Sequence, residues 1–361
     1  MLKYWNYVML VFVVIAALGE WLHWSPIVIF VTAALGVVPL AGFMGQATEE
    51  LAVYTGPKIG GLLNATLGNA AELIITMVAI YTGVTNPELR EGLLELVKAS
   101  ITGSILGNLL LILGLSMLLG GIKFKRQTFD MAQANVNATM LISAVIALGI
   151  PSMFSYAINA DHAHEQSVEY LSLSVAAVML VIYVLGIAFS FQLDDPSQAD
   201  HSEVHHPTWS VRQAVGVLLA STVAIAFLSE VLVGAVEPVV KEFGVSEFFL
   251  GIIIIPLVGN AAEHAVAIQM AMKNKMEIAL AIAIGSSLQI ALFVAPALVF
   301  ISLAMGNPLT LTFNLFEVVA LFAASLIAAF IALDGESNWL EGAQLLAVYF
   351  IIGVAFLFLP S

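Results

Sequence analysis

Apolar runs recur along the whole chain, separated by short clusters of charge, Gly and Pro. They fall at 5–20, 26–43, 58–82, 97–120, 131–151, 168–191, 211–236, 247–272, 277–305, 310–333 and 339–359. A helix needs roughly 20 apolar residues to cross a bilayer, so the pattern predicts an all-α integral membrane protein with eleven transmembrane helices. The first run follows a lone Lys3 and ends near Ala17-Leu18-Gly19, where a signal peptide would be cleaved. Its short basic region and the lack of a clear A-x-A site favour a retained helix instead.

Composition removes the alternatives to a bilayer. Of 361 residues, 61% are hydrophobic and 10% charged, which excludes a soluble globular domain. With no cysteine, disulfides, thiolate metal sites and attached haem are excluded. The 25 acidic and 11 basic residues give a formal charge of −14, which argues against a nucleic-acid partner and suits a cationic substrate. With the N-terminus placed in the cytoplasm, inner segments hold Lys3, Lys58, Lys123, Lys125, Arg126, Arg212, Lys273 and Lys275. Outer segments hold only Arg90, Lys98 and Lys241. That bias follows the positive-inside rule and puts the C-terminus outside.

The chain also repeats itself. Gly68-Asn69-Ala70-Ala71-Glu72 in the third span recurs as Gly259-Asn260-Ala261-Ala262-Glu263 in the eighth. Gly103-Ser104-Ile105-Leu106 in the next span matches Gly285-Ser286-Ser287-Leu288 at a shift of 182 residues. The expected organisation is a first helix (1–25), a five-helix repeat (26–191), an acidic cytosolic linker (192–210) and a second five-helix repeat (211–361). Repeats with five spans each enter the membrane from opposite sides, the inverted topology that brings paired sites together at the bilayer midplane.

Glu72 and Glu263 are the centre of the expected chemistry. An ionised carboxylate at mid-membrane costs about 2.5–3.5 kcal/mol even on lenient scales, so each needs a partner or a proton. Asn69 and Asn260 precede them by three residues and, on helices, would share a face with them. Gly68 and Gly259 bare the backbone, and Pro256 removes an amide hydrogen, so broken helices with free carbonyls are expected. Carboxylates, amide oxygens and carbonyls form an all-oxygen site suited to a hard divalent cation, Ca²⁺ rather than Mg²⁺. Two such carboxylates close together hold either protons or a metal, the logic of a cation/proton antiporter. Ser104, Ser286 and Gln289 on the adjoining spans are candidates to orient the carboxylates, and His264 for a supporting place behind Glu263.

Asn64-Ala65-Thr66-Leu67-Gly68-Asn69-Ala70-Ala71-Glu72, Gly259-Asn260-Ala261-Ala262-Glu263-His264 and Gly285-Ser286-Ser287-Leu288-Gln289 resemble the motifs of the calcium/proton exchangers, the CAX family of the Ca²⁺/cation antiporter superfamily. The likeness covers nearly the whole chain. It implies a solitary first helix before two inverted five-helix repeats, and Ca²⁺ or protons bound by Glu72 and Glu263 with help from the carbonyls of Gly68 and Gly259. It implies no cofactor beyond the transported ions, and an acidic cytosolic segment where 192–210 lies. Sodium/calcium exchangers typically carry a G-T-S-x-P-E type motif where this chain has Gly-Asn-Ala-Ala-Glu, which favours protons over sodium as the coupling ion. The lack of a long N-terminal regulatory extension or organelle signal points to a prokaryotic plasma membrane. Whether copies associate as a homo-oligomer is left open.

Other polar residues carry weaker expectations. Asp194, Asp195, Asp200, His201, Glu203, His205 and His206 in the linker read first as solvated side chains and second as a regulatory metal or pH-sensing site. Glu50 and Glu230 either attract cations or cap helix ends, and Glu317 either joins a proton path or packs. An intramembrane hydrolase lacks a nucleophile motif, and a cation channel would pass current without returning protons.

Overall fold

The computed structural model describes residues 2–158, 165–193 and 207–359. Helices α1 (Leu2–Met9) and α2 (Val11–Trp21) form the first apolar stretch, and α3 (Pro26–Leu67) follows with a kink at Gly56, whose φ of 81° is open to glycine at little cost. Next come α4 (Ala70–Thr85), then α5 (Arg90–Leu106) and α6 (Leu113–Phe124), joined by a π-helical segment Gly107–Ile112. Helices α7 (Met131–Ala157) and α8 (Glu165–Leu193) complete the first half.

The second half begins with α9 (Val211–Gly234) and α10 (Val236–Phe243). A short α11 (Glu247–Phe249) runs through a π-helical segment Leu250–Ile254 into α12 (Ile255–Gly259), followed by α13 (Ala261–Met272). Helices α14 (Met276–Gln289) and α15 (Ala295–Ala304) are joined by a third π-helical segment, Ile290–Val294, and α16 (Leu315–Asp334) and α17 (Trp339–Leu357) close the chain. Among the described residues eight helices are long and apolar enough to cross a membrane, or nine if the pair Glu247–Gly259 and Ala261–Met272, bent by 62°, is one span. The expected first and third spans are met by the shorter apolar helices Asn6–Trp21 and Ala70–Thr85.

Two expectations shift. The tenth apolar run was expected to be helical from 310, but its helix starts at Leu315, because Asn314 and Glu317 form a capping box there. Residues 307–314 are instead extended. Leu309, Leu311 and Phe313 point inward, and their N–H groups bond to the hydroxyls of Ser302 (2.8 Å), Ser172 (3.1 Å) and Ser152 (2.8 Å). Three hydroxyls thus satisfy a non-helical backbone that lipid could not. The structure is also not purely α-helical: strands β1 (Arg126–Thr128) and β2 (Glu336–Asn338) pair antiparallel.

Helix α3 packs on α9, α7 on α16 and α6 on α17, so each half is wrapped around the other. Helix α5 is buried along nearly its whole second half, while α8 and α17 turn Val181, Val184, Leu185, Phe350 and Ile351 outward, an apolar surface fit for lipid. Polar ties join the connections to one another. Lys123 and Gln127 bond to Met272 O and Ala271 O, both at 2.8 Å, and Tyr54 to Trp209 O; Arg90 bonds to Asn307 (2.6 Å) and Lys98 to Thr312 (2.9 Å).

Candidate functional site

The site forms where two helices restart. Between α3 and α4 the backbone leaves the helical path at Asn69 (φ −100°, ψ 22°), and between α12 and α13 at Asn260 (φ −103°, ψ 7°). The ladder resumes with Leu73 N–H on Asn69 O and His264 N–H on Asn260 O, each 3.0 Å. Each break creates a new helix N-terminus, whose dipole favours negative charge, and Glu72 and Glu263 occupy the first turns. The breaks cross closely: a methyl on Gly259 would stand 3.6 Å from Glu72 Cβ. The break falls after Gly259 rather than at Pro256, because the π-helical turn before Pro256 absorbs its missing N–H.

Glu72 is 1% exposed. Its Oε1 accepts hydrogen bonds from Ser104 Oγ and, at 3.5 Å, from Ser100 Oγ, and its Oε2 from Asn260 Nδ2 at 3.4 Å. Asn260 also donates to Ser104 Oγ at 3.4 Å. Glu263 is only partly buried, yet its Oε2 is buried and has no hydrogen-bond partner. The two carboxyl groups are near enough to repel each other when both are charged.

The asparagines depart from the expected arrangement. On continuous helices each would share a face with its own glutamate, but the break at each asparagine cancels that spacing rule. Asn260 reaches across to Glu72 of the other half. Asn69 Nδ2 donates to Gln289 Oε1 at 2.8 Å, and its Oδ1 accepts from Ser286 Oγ at 3.0 Å. Of the three residues expected to orient carboxylates, Ser104 touches Glu72 and Ser286 touches Glu263 as well as donating to Asn69, while Gln289 holds Asn69. His264 is buried behind the site with Nε2 3.1 Å from Asn108 Oδ1, while its Nδ1 and Asn108 Nδ2 are buried without partners.

Gly68 follows the last residue of α3 and Gly259 is the last residue of α12, so both stand at the breaks. Ser100 and Asn108 are site residues that motif matching misses. Their signal is the four-residue spacing Ser100, Ser104, Asn108, one polar stripe on a buried helix. Glu50, on α3, accepts hydrogen bonds from Thr208 N and Oγ1 and Trp209 N, pinning the end of the linker. The linker residues Asp194, Asp195, Asp200, His201, Glu203, His205 and His206 lie outside the described residues.

Broken helices that carry paired carboxylates into the interior of an apolar helical bundle are a feature of secondary transporters. The model of the sodium/calcium exchanger protein family matches residues 25–192 and 213–358, and the chain belongs to that family. A Ca²⁺/H⁺ antiporter of Aphanothece halophytica is 44% identical across 98% of this chain and 96% of its own length. The Ca²⁺/H⁺ antiporter ChaA of Bacillus subtilis is 45% identical across 96% of both chains. The structure of native YfkE superimposes with a TM-score of 0.83 at 42% identity, covering 98% of this chain and 100% of that one. The resemblance to calcium/proton exchangers, drawn from the paired motifs, is thereby borne out.

Proposed function

We propose that this protein exchanges Ca²⁺ for protons by alternating access around a single site held by Glu72 and Glu263, with Asn69, Asn260 and the carbonyls of Gly68 and Gly259 as further oxygen ligands. The observation that carries this reading is the crossing of the two breaks, which puts a buried carboxylate oxygen without a partner, Glu263 Oε2, opposite a fully buried Glu72. Such a pair is stable only with a proton or a cation between its members. Names of relatives that match end to end support the choice of ions. The reading includes eleven spans, counting the two short apolar helices and the bent pair, with a first helix ahead of two inverted repeats in a prokaryotic plasma membrane and the N-terminus in the cytoplasm.

The test is Ca²⁺ uptake into proteoliposomes with membrane potential clamped. An imposed proton gradient drives Ca²⁺ uphill in the opposite direction, a protonophore collapses the uptake, and a sodium gradient does not replace it. Because the carboxyls must lose protons before Ca²⁺ binds, apparent Ca²⁺ affinity falls as pH is lowered and binding releases protons into solution. Uptake that follows sodium and ignores the proton gradient would overturn proton coupling.

A further inference from the structure

On the face assigned to the outside, α5, α16 and the stretch 307–314 border an open cavity of about 350 Å³, lined by Glu91, Glu95, Lys98, Thr312 and Glu317. It is separated from the midplane site by the thickness of α5. Glu91, Glu95, Lys98 and Thr102 follow one another at helical spacing along one face of that helix, while Ser100 and Ser104 on the other face reach Glu72.

Glu317 is 3% exposed. One carboxyl oxygen, Oε2, closes the capping box by accepting from Asn314 N at 2.9 Å, but Oε1 is buried with no hydrogen-bond partner. Beside it stands the Thr102 hydroxyl, fully buried and also without a partner. A capping box needs a single acceptor, which a glutamine supplies as well as a glutamate. The structural role therefore does not account for an acid here, at the cost of a buried carboxyl oxygen.

The charged groups facing Glu317 all come from α5 or its neighbour. Lys98 Nζ bonds to Thr312 (2.9 Å) and Thr310 (3.5 Å) and lies near Glu317 and Glu95; Glu91 and Glu95 line the mouth, and Glu247 of α11 stands by Glu95. Helix α7 and the stretch 307–314 contribute no charged side chain. The acidic mouth attracts cations. The Lys98 ammonium occupies the interior, so a metal ion would have to approach a fixed positive charge, whereas a proton travels on groups already there. No group of three His, Asp or Glu side chains among the described residues is arranged to hold a metal.

We infer that this cavity is the external proton port of the exchanger, in which Glu317 Oε1 takes a proton from outside water and gives it up again, with Thr102 as the hydrogen-bond partner of the acid. The inference rests on the proton-coupled reading above. Its test compares two modes of transport by the full chain in proteoliposomes: Ca²⁺ uptake driven by a proton gradient, and exchange of ⁴⁵Ca²⁺ for unlabelled Ca²⁺ at equal pH, which needs no net proton movement. Glu317→Gln is expected to slow the driven uptake by about a hundredfold, as loss of a positioned proton carrier does, while leaving the isotope exchange intact. Glu341→Gln, in the equivalent capping box of α17, is expected to change neither. Equal loss of both modes in Glu317→Gln, or loss of neither, overturns the inference. Should that variant not fold, Thr102→Val carries the same comparison: driven uptake falls and isotope exchange holds, and any other result overturns it. If the wild-type protein itself shows no proton-driven uptake, the failure lies in the proposed function, not in the port.

Discussion

Glu72 and Glu263 sit in identical five-residue motifs, yet their surroundings differ. Glu72 is sealed from solvent and accepts from two serine hydroxyls and an amide; Glu263 is partly open and keeps a carboxylate oxygen with no donor. The difference arises on the adjoining helix. Shifting by 182 residues, Ser104 has its mate in Ser286, but Ser100 corresponds to Ile282 and Gln289 to Gly107. The first half thus has an additional hydroxyl for its glutamate, and the second has an amide, Gln289, that holds Asn69. A duplicated motif fixes where the carboxylates are, and unduplicated neighbours decide how each is held.

Removing either carboxylate has the largest expected effect. Glu72→Gln and Glu263→Gln keep the side-chain volume but lose the charge that, on the proposed mechanism, binds Ca²⁺ and carries the proton, so proton-driven Ca²⁺ uptake is expected to fall to background in both. Near-normal uptake by one of the two would turn the structural asymmetry into a functional one and confine the site to a single glutamate.

The asparagines separate the halves more finely. Asn260 bonds to a carboxylate, an interaction worth about 1.5–3 kcal/mol, whereas Asn69 bonds to neutral partners, worth about 0.5–1.5 kcal/mol. Asn260→Ala should therefore weaken Ca²⁺ binding by roughly 10–100-fold and Asn69→Ala by only a few-fold, as read from binding isotherms. Equal losses would break the comparison and restore the symmetric site that the motifs suggest.

Much of this was legible in the chain. Paired Gly-Asn-Ala-Ala-Glu motifs located both helix breaks, because glycine and a mid-membrane acid are each costly unless used. What escaped was geometry that hydropathy does not encode. The stretch 309–313 is as apolar as a helix, and only the serines on three other helices that satisfy its N–H groups make an extended backbone tolerable there. Likewise the i, i+3 rule placed each asparagine beside its own glutamate, since sequence spacing cannot tell that the helix stops at the asparagine itself. Lys98 appeared as one charge in a topology count, and its place beside Glu317 required the fold.

The smallest effect concerns the glycines that precede the paired serines. A methyl on Gly103 would lie 2.0 Å from Ile252 O, where α5 crosses the π-helical segment before α12; its mate Gly285 has nothing within 4 Å. Gly103→Ala must push backbone apart and should destabilise the protein by about 1–3 kcal/mol. Gly285→Ala meets open space in the middle of a helix and should stabilise it by about 0.5–1 kcal/mol, the usual gain over glycine. Thermal unfolding in detergent reads both. Alternating access adds a second expectation: if the halves exchange arrangements, Gly285 enters the tight crossing that Gly103 now occupies. Gly285→Ala would then slow transport while raising the melting temperature, because it favours the present arrangement over its inverse. A variant that melts higher and transports at the wild-type rate would show that the second half never adopts the close crossing of the first.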